Sequence, residues 1–267
     1  MLKKLLASAG IVALCAATTA TAQDIDLSTD FDTFYSFGDS LSDTGNLFAA
    51  TSGSIPTSPP YFDGRFSNGP VWTELLGLES ESFTALGGTN YAFGGAQASG
   101  PEALIAPGMF DSDDQINNLF AGSVGTFSPD DLVSVWIGGN NFRPAAATFV
   151  GDTSVITDAA IEAATNTADN ITSVISLGAE NIIVPNLPDL GITPLVIAEM
   201  AAPLGSLYSD TFNQALAQQI AGLQAANPGV TITPVDTAGA FDAIIANPAA
   251  FGLSNTTTEC FDGVTVC

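Results

Sequence analysis

A nucleophilic serine has to stand clear of regular backbone, close to donors that can stabilise the oxyanion formed when it attacks a carbonyl. The run Phe-Gly-Asp-Ser-Leu-Ser-Asp-Thr-Gly-Asn at residues 37–46 has the form of such a holder. A strand-like stretch, Phe31–Phe37, feeds the Gly-Asp-Ser-Leu turn and lifts the Ser40 hydroxyl off the strand end. A serine placed after a strand also serves as a helix N-cap, so context must separate the two readings. Two later stretches provide it. Asn90-Tyr91-Ala92-Phe93-Gly94-Gly95-Ala96 puts a glycine pair just past a strand, where a bare backbone N–H can approach a ligand closely. Trp136-Ile137-Gly138-Gly139-Asn140-Asn141 follows a second apolar run, and an asparagine amide can donate to an oxyanion. Each stretch has a plainer use, as a tight turn or an Asx-turn. All three sit at strand ends, and open α/β sheets bind ligands beyond the carboxyl ends of their strands.

The elements that must position these residues alternate between short apolar runs and helix-period segments, the pattern of βαβ units. Strands are predicted over Phe31–Phe37, Thr89–Phe93, Leu132–Ile137, Asn181–Pro185 and Val230–Val235. The third and fourth are nearly continuous apolar runs, as expected of strands buried on both faces of a parallel sheet. Ile161, Ala164, Ala168, Ile171 and Ile175 make one helical stripe, which Gly178 is placed to end. Phe212, Leu216, Ile220 and Leu223 make a second, stopping at Asn227-Pro228-Gly229, and Phe241, Ile244 and Ile245 mark a shorter third. All three stripes are read as core. Residues 42–70, rich in Gly, Pro, Ser and Asn, form a long loop after Ser40 suited to a substrate-binding wall. No repeat or domain linker interrupts the chain.

Composition narrows the partners. Four Lys and Arg face 28 Asp and Glu, and histidine is absent from all 267 residues. Lys3 and Lys4, the apolar run Leu5–Ala17 and Ala20-Thr21-Ala22 read as a secretory leader over residues 1–22, too short in its apolar part to span a bilayer. Residues 23–267 then form one exported domain whose only cations are Arg65 and Arg143. Such a surface repels nucleic acid and anionic membranes. Cys260 and Cys267, in an oxidising compartment, suit a small disulfide loop better than a metal centre. Asp111, Asp113 and Asp114 lack a calcium-loop pattern and are read as solvated. No metal and no organic cofactor is called for.

The three strand-end stretches, in this order, resemble the SGNH or GDSL family of serine esterases and lipases. Arg65-Phe66-Ser67-Asn68-Gly69-Pro70-Val71-Trp72, Asn186-Leu187-Pro188-Asp189-Leu190-Gly191 and Asn247-Pro248-Ala249-Ala250-Phe251-Gly252-Leu253 resemble its secreted bacterial branch. The resemblance implies a three-layer α/β/α domain with five parallel strands in the order 2-1-3-4-5. It makes Ser40 the catalytic nucleophile. The oxyanion hole would comprise the Ser40 N–H, a glycine N–H from Gly94 or Gly95, and the Asn140 side chain. It further implies hydrolysis of a small-molecule or lipid ester through an acyl-serine, outside the cytoplasm; a monomer is expected. Asp39 is expected to brace the turn, and Arg65 to form a salt bridge rather than to meet substrate. Asn141 stands where the family often has Asp.

The family's last block, Asp-x-x-His, supplies the base and the group that orients it. Phe261-Asp262-Gly263-Val264-Thr265 has threonine where the histidine should stand, and threonine is no base. Three explanations remain open. The sequence is a fragment whose histidine was encoded further on, which is the preferred one; or it is a catalytically dead relative that keeps a binding cleft; or it uses another base, for which only carboxylates are on offer. A fragment would also leave part of one sheet face bare.

Overall fold

The computed structural model describes residues 27–83, 87–100, 110–259 and 261. The leader over 1–22, the cysteine pair Cys260 and Cys267, and the stretch 262–265 lie outside them. Strands β1 (Phe34–Gly38), β2 (Leu132–Trp136), β3 (Asn181–Pro185) and β4 (Thr231–Val235) form one parallel sheet in that order. Phe34 pairs with Leu132, Leu132 with Asn181 and Asn181 with Thr231, so the strands start level. Their carboxyl ends therefore share one edge. The helices used below are α1 (Asn46–Ala50), α2 (Phe142–Thr148), α3 (Ser154–Ser176), α4 (Ala202–Ala226) and α5 (Thr237–Ala246).

The fold is α/β with a parallel sheet flanked by helices, as expected, but four strands are regular where five were predicted. The segment 89–93 does lie beside β1, on the side away from β2, which preserves the expected order. Ser36 N donates to Thr89 O at 3.2 Å, Tyr91 N to Ser36 O at 2.7 Å and Phe93 N to Gly38 O at 3.1 Å. The rung between the last two, from Gly38 N, is missing because a buried side chain takes it. Gln115 accepts from Gly38 N at 2.9 Å and donates to Gly38 O at 2.8 Å and Phe110 O at 2.9 Å. It opens a π-helical stretch, Gln115–Phe120, between two short α turns. On the other side, Asn90 N goes to Glu81 O and Asn90 O receives Phe83 N. The backbone of this edge is thus satisfied piecemeal, and regular strand pairing gives way to isolated bridges from Asn90 to Ser36 and to Ser82.

Alternation along the strands divides the core. Tyr35, Phe37, Val133, Val135, Ile182, Val184 and Ile232 face a large cluster that includes α3, α4 and the helical run from Ser112. Phe34, Leu132 and Ile183 face a much smaller cluster with Leu27, Phe31, Trp72, Leu76, Leu78 and Val235. The second layer is therefore thin. Helix α5 forms where expected, yet none of its residues is buried, and Phe241 and Ile245 are each 37 % exposed. The predicted stripe on α3 holds at four of its five positions: Ala164, Ala168 and Ile171 are buried and Ile175 packs partly buried against the core, whereas Ile161 is 48 % exposed. Ile156, Ala160, Ala163, Thr167, Asn170 and Val174 widen the buried face. Small residues on this face let α4 approach closely. No helix among the described residues is long and apolar enough to cross a membrane.

Candidate active site

The chain leaves β1 in a tight turn. Ser42 N and Asp43 N both donate to Asp39 O at 3.0 Å, and the Asp39 side chain accepts from Leu41 N at 3.0 Å. Asp39 is buried, while Ser40 at the crest is half-buried and its hydroxyl has no hydrogen-bond partner among the described residues. Burial pushes the Asp39 carboxyl up to about 7; the Leu41 N–H opposes the rise and the Asp43 charge adds to it.

Asp43 joins this turn to the glycine pair. Its carboxylate accepts from Gly45 N at 2.8 Å, Asn46 N at 2.7 Å and Leu47 N at 3.2 Å, the free amides at the start of α1. It also accepts from Gly94 N at 2.8 Å, across 51 residues of sequence. Burial raises the Asp43 pKa, and these four amides work against that rise by stabilising the charged form. A second strut is Asn46, whose Nδ2 donates to Asn90 O at 2.8 Å and Ala92 O at 2.9 Å. Asn90, fully buried, returns a bond from Nδ2 to Ser42 O at 2.7 Å.

The glycine pair is thereby divided. Gly94 N–H is committed to Asp43, and a Cβ on Gly94 would collide with the Phe66 ring. Gly95 adopts φ +83°, a conformation that favours glycine, and its N–H has no partner among the described residues. The third stretch closes on the same turn. Gly138 at φ +117° redirects the chain after β2 into the 3-10 turn Gly139–Asn141. Asn140 Nδ2 donates one proton to Ala96 O at 2.9 Å, which leaves the second amide proton available. Asn141 Oδ1 accepts from Ala98 N at 3.0 Å, an acceptor role that an aspartate would fill equally well. A continuous chain of bonds thus ties Ser40's turn to Gly94–Ala98 and to Asn140.

Asp43, Asn46, Asn90 and Gln115 hold this edge together and were not singled out from sequence. Only Asp43 carried a local sign, a carboxylate three residues ahead of the first helical residue. Arg65 meets Glu74 in a bidentate pair, Nη2 to Oε1 at 2.6 Å and Nε to Oε2 at 3.3 Å, in line with the salt-bridge expectation. Phe66 packs against Tyr61, and Tyr61 lies edge-on to Phe261 at 5.9 Å, so the last described residue returns to the loop beside the site. No described carboxylate shares a hydrogen bond with the Ser40 hydroxyl.

Residues 34–265 match the family described as GDSL-like Lipase/Acylhydrolase. The chain is 34 % identical over 259 residues to a phosphatidylcholine-sterol acyltransferase of Aeromonas hydrophila, covering 95 % of this chain and 71 % of that protein. It is 27 % identical over 293 residues to an acetylesterase of Thermothelomyces thermophilus, covering 97 % and 89 %. With the secreted effector protein SseJ of Salmonella typhimurium it shares 32 % identity over 161 residues, 59 % of this chain and 35 % of that one. Matching over nearly all of its described length, the chain belongs to the GDSL-like lipase/acylhydrolase family.

Proposed function

We propose that this domain transfers acyl groups from carboxylic esters through Ser40. The observation that carries the reading is a free serine hydroxyl at the end of β1 whose turn is bonded, through Asp43, to the turn bearing the unspent Gly95 N–H. Ser40 Oγ attacks the ester carbonyl carbon, and its proton passes to a solvent water or an added base, which returns it to the departing alkoxide. The oxyanion is met by the N–H groups of Ser40 and Gly95 and the second amide proton of Asn140. The tetrahedral species collapses, the alcohol departs with a proton, and the acyl-serine remains. Water then attacks the acyl carbon, the bond to Ser40 Oγ breaks, the acid is freed and a proton from the water restores the Ser40 hydroxyl. Gly94 is excluded from the hole because its N–H already serves Asp43. The relative named as an acyltransferase supports an alcohol as a second possible acceptor, and the acetylesterase supports short acyl groups. Export rests on the leader at residues 1–22.

The 267 residues contain no imidazole to accept the serine proton. Removing the base of a serine triad costs roughly a million-fold in turnover. We infer that this polypeptide alone hydrolyses esters only marginally. A second reading, a cleft that binds esters without turnover, draws on the same missing histidine.

A fluorophosphonate probe with intact-mass detection tests the proposal, with and without added imidazole as a diffusible base. The expected result is slow addition of one probe mass, accelerated by imidazole and abolished in Ser40→Ala. Equal labelling of wild type and Ser40→Ala refutes a nucleophilic role for Ser40. No labelling at any imidazole concentration, with an ester analogue still bound, favours the non-catalytic cleft.

A further inference from the structure

Helix α4 meets the loops at the carboxyl edge of the sheet along two neighbouring rows of side chains, and each row holds a different loop. Residues four apart share one face of a helix. Ser209 and Asn213 form one row and take the loop after β3. Ser209 Oγ accepts from Leu190 N at 3.0 Å, while Asn213 accepts from Leu187 N and donates to Leu187 O, both at 2.8 Å. Tyr208 and Phe212 form the other row and take the turn after β2. The Tyr208 hydroxyl donates to Gly138 O at 2.7 Å, across 70 residues of sequence. The Phe212 ring lies 2.4 Å from where a Gly138 Cβ would stand. Both side chains are fully buried, and their rings stack with centroids 6.3 Å apart.

What Tyr208 and Phe212 grip is the root of Asn140. Gly138 O also accepts from Asn141 N at 3.3 Å, the bond that closes the 3-10 turn Gly139–Asn141. The carbonyl held by Tyr208 is therefore the one on which that turn is built. On the far side of the turn, Tyr208 meets the Phe142 ring edge-on at 5.5 Å. One side chain thus touches the residues that flank Gly139, Asn140 and Asn141 at both ends. The Asn140 amide itself has a single tie among the described residues, to Ala96 O, and swinging about it re-aims the second proton. Its aim is set by the turn, and a displacement of about 1 Å from the productive geometry costs roughly a hundredfold in rate. Burial, with the Glu162 charge adding to it, pushes the Tyr208 pKa up, so the hydroxyl keeps the proton it donates.

We propose, on the reading of Ser40 as nucleophile and Asn140 as donor, that Tyr208, backed by Phe212, is a positioning residue for the oxyanion hole. Its hydroxyl fixes the Gly138 carbonyl and with it the turn that aims the Asn140 amide. Tyr208 reaches no reacting atom; it acts only through Asn140. The Ser209–Asn213 row, on the same two turns of α4, holds a different loop and provides an internal control.

A double-mutant cycle on fluorophosphonate labelling of Ser40 tests this, at fixed imidazole and well below the lowest Tm of the set. Tyr208→Phe removes one hydroxyl and keeps the ring, and should slow labelling about tenfold. On the Asn140→Ala background the same substitution should change the rate by less than about twofold, because the donor it aims is gone. A merely structural role slows both backgrounds alike. Ser209→Ala, which loosens α4 at the other loop, should label within about twofold of wild type. If Tyr208→Phe does not fold, Phe212→Leu, which keeps the hydroxyl bond and withdraws the ring from Gly138, is put through the same comparison. The proposal alone is overturned if Tyr208→Phe labels at the wild-type rate while Asn140→Ala is slow. It is also overturned if the tenfold loss persists in the double variant, or if Ser209→Ala is slowed as much. No labelling of the wild type, labelling that survives Ser40→Ala, or a wild-type rate in Asn140→Ala overturns the reading of the site and this proposal with it.

Discussion

Two adjacent glycines in one turn have opposite assignments, and substitutions separate them. Gly94→Ala drives a methyl group into Phe66 and displaces the amide that Asp43 holds, so loss of stability is its main effect. Gly95→Ala imposes φ near +83° on a residue with a Cβ, a strain of about 1–3 kcal/mol. Its main effect falls on the oxyanion donor, and it should slow imidazole-supported labelling of Ser40 by the fluorophosphonate. Asn140→Ala removes a side-chain donor and should slow the same reaction about 10²–10³-fold. Labelling at the wild-type rate in both variants would remove Gly95 and Asn140 from the hole. The proposed site residues, Ser40, the glycine pair and Asn140, stand out in the sequence because each sits within a few residues of a strand end. The proposed choice of Gly95 over Gly94 does not, because the carboxylate on which it rests lies 51 positions away.

At the level of elements, the apolar strands at 132 and 181 could be read from their composition, since burial on both faces leaves little room for polar residues. Thr89–Phe93 could not be resolved in that way. Its place beside β1 follows from order along the chain, but its irregularity is imposed by Gln115, 77 positions from the Gly38 backbone it binds. The α3 stripe was misread at one position, Ile161, and for a related reason. Alanines count little in a hydrophobic pattern, yet Ala160 and Ala163 are buried while the larger Ile161 is 48 % exposed. Gln115→Leu tests the first point. It keeps a side chain of similar size but leaves Gly38 N–H buried and unpaired, a cost of about 1–3 kcal/mol. Urea unfolding should report that loss as a lower midpoint at unchanged slope. A midpoint within error of wild type would mean that the edge strand re-forms its ladder without the glutamine.

For the molecule as a whole, acidity governs stability. The Asp39 carboxyl is raised by burial to about 7 in the folded chain, against about 3.9 when unfolded. Between these values the folded state binds more protons than the unfolded one, so stability falls as pH rises. That contribution is fully present below about pH 4 and is lost by the time pH passes about 7. The formal net charge of −24 at pH 7 acts in the same direction through self-repulsion. Thermal melting should therefore give a higher Tm at pH 5 than at pH 8, and Asp39→Asn should flatten the difference. A Tm that increases steadily from pH 5 to pH 8 would contradict the buried, proton-holding Asp39.

The scarcity of positive charge also shapes how the chain meets other enzymes. A protease that cuts after Lys or Arg finds only two bonds beyond Lys4. One is Arg143–Pro144, and proline on the leaving side makes that bond refractory. The other is Arg65–Phe66, where the guanidinium is gripped by both oxygens of Glu74 and is not free to enter a specificity pocket. Trypsin-like digestion should leave the folded polypeptide whole, and Glu74→Ala should turn it into two fragments divided beside the active-site loop. The same charge balance thus leaves a protease of this specificity almost nothing to cut.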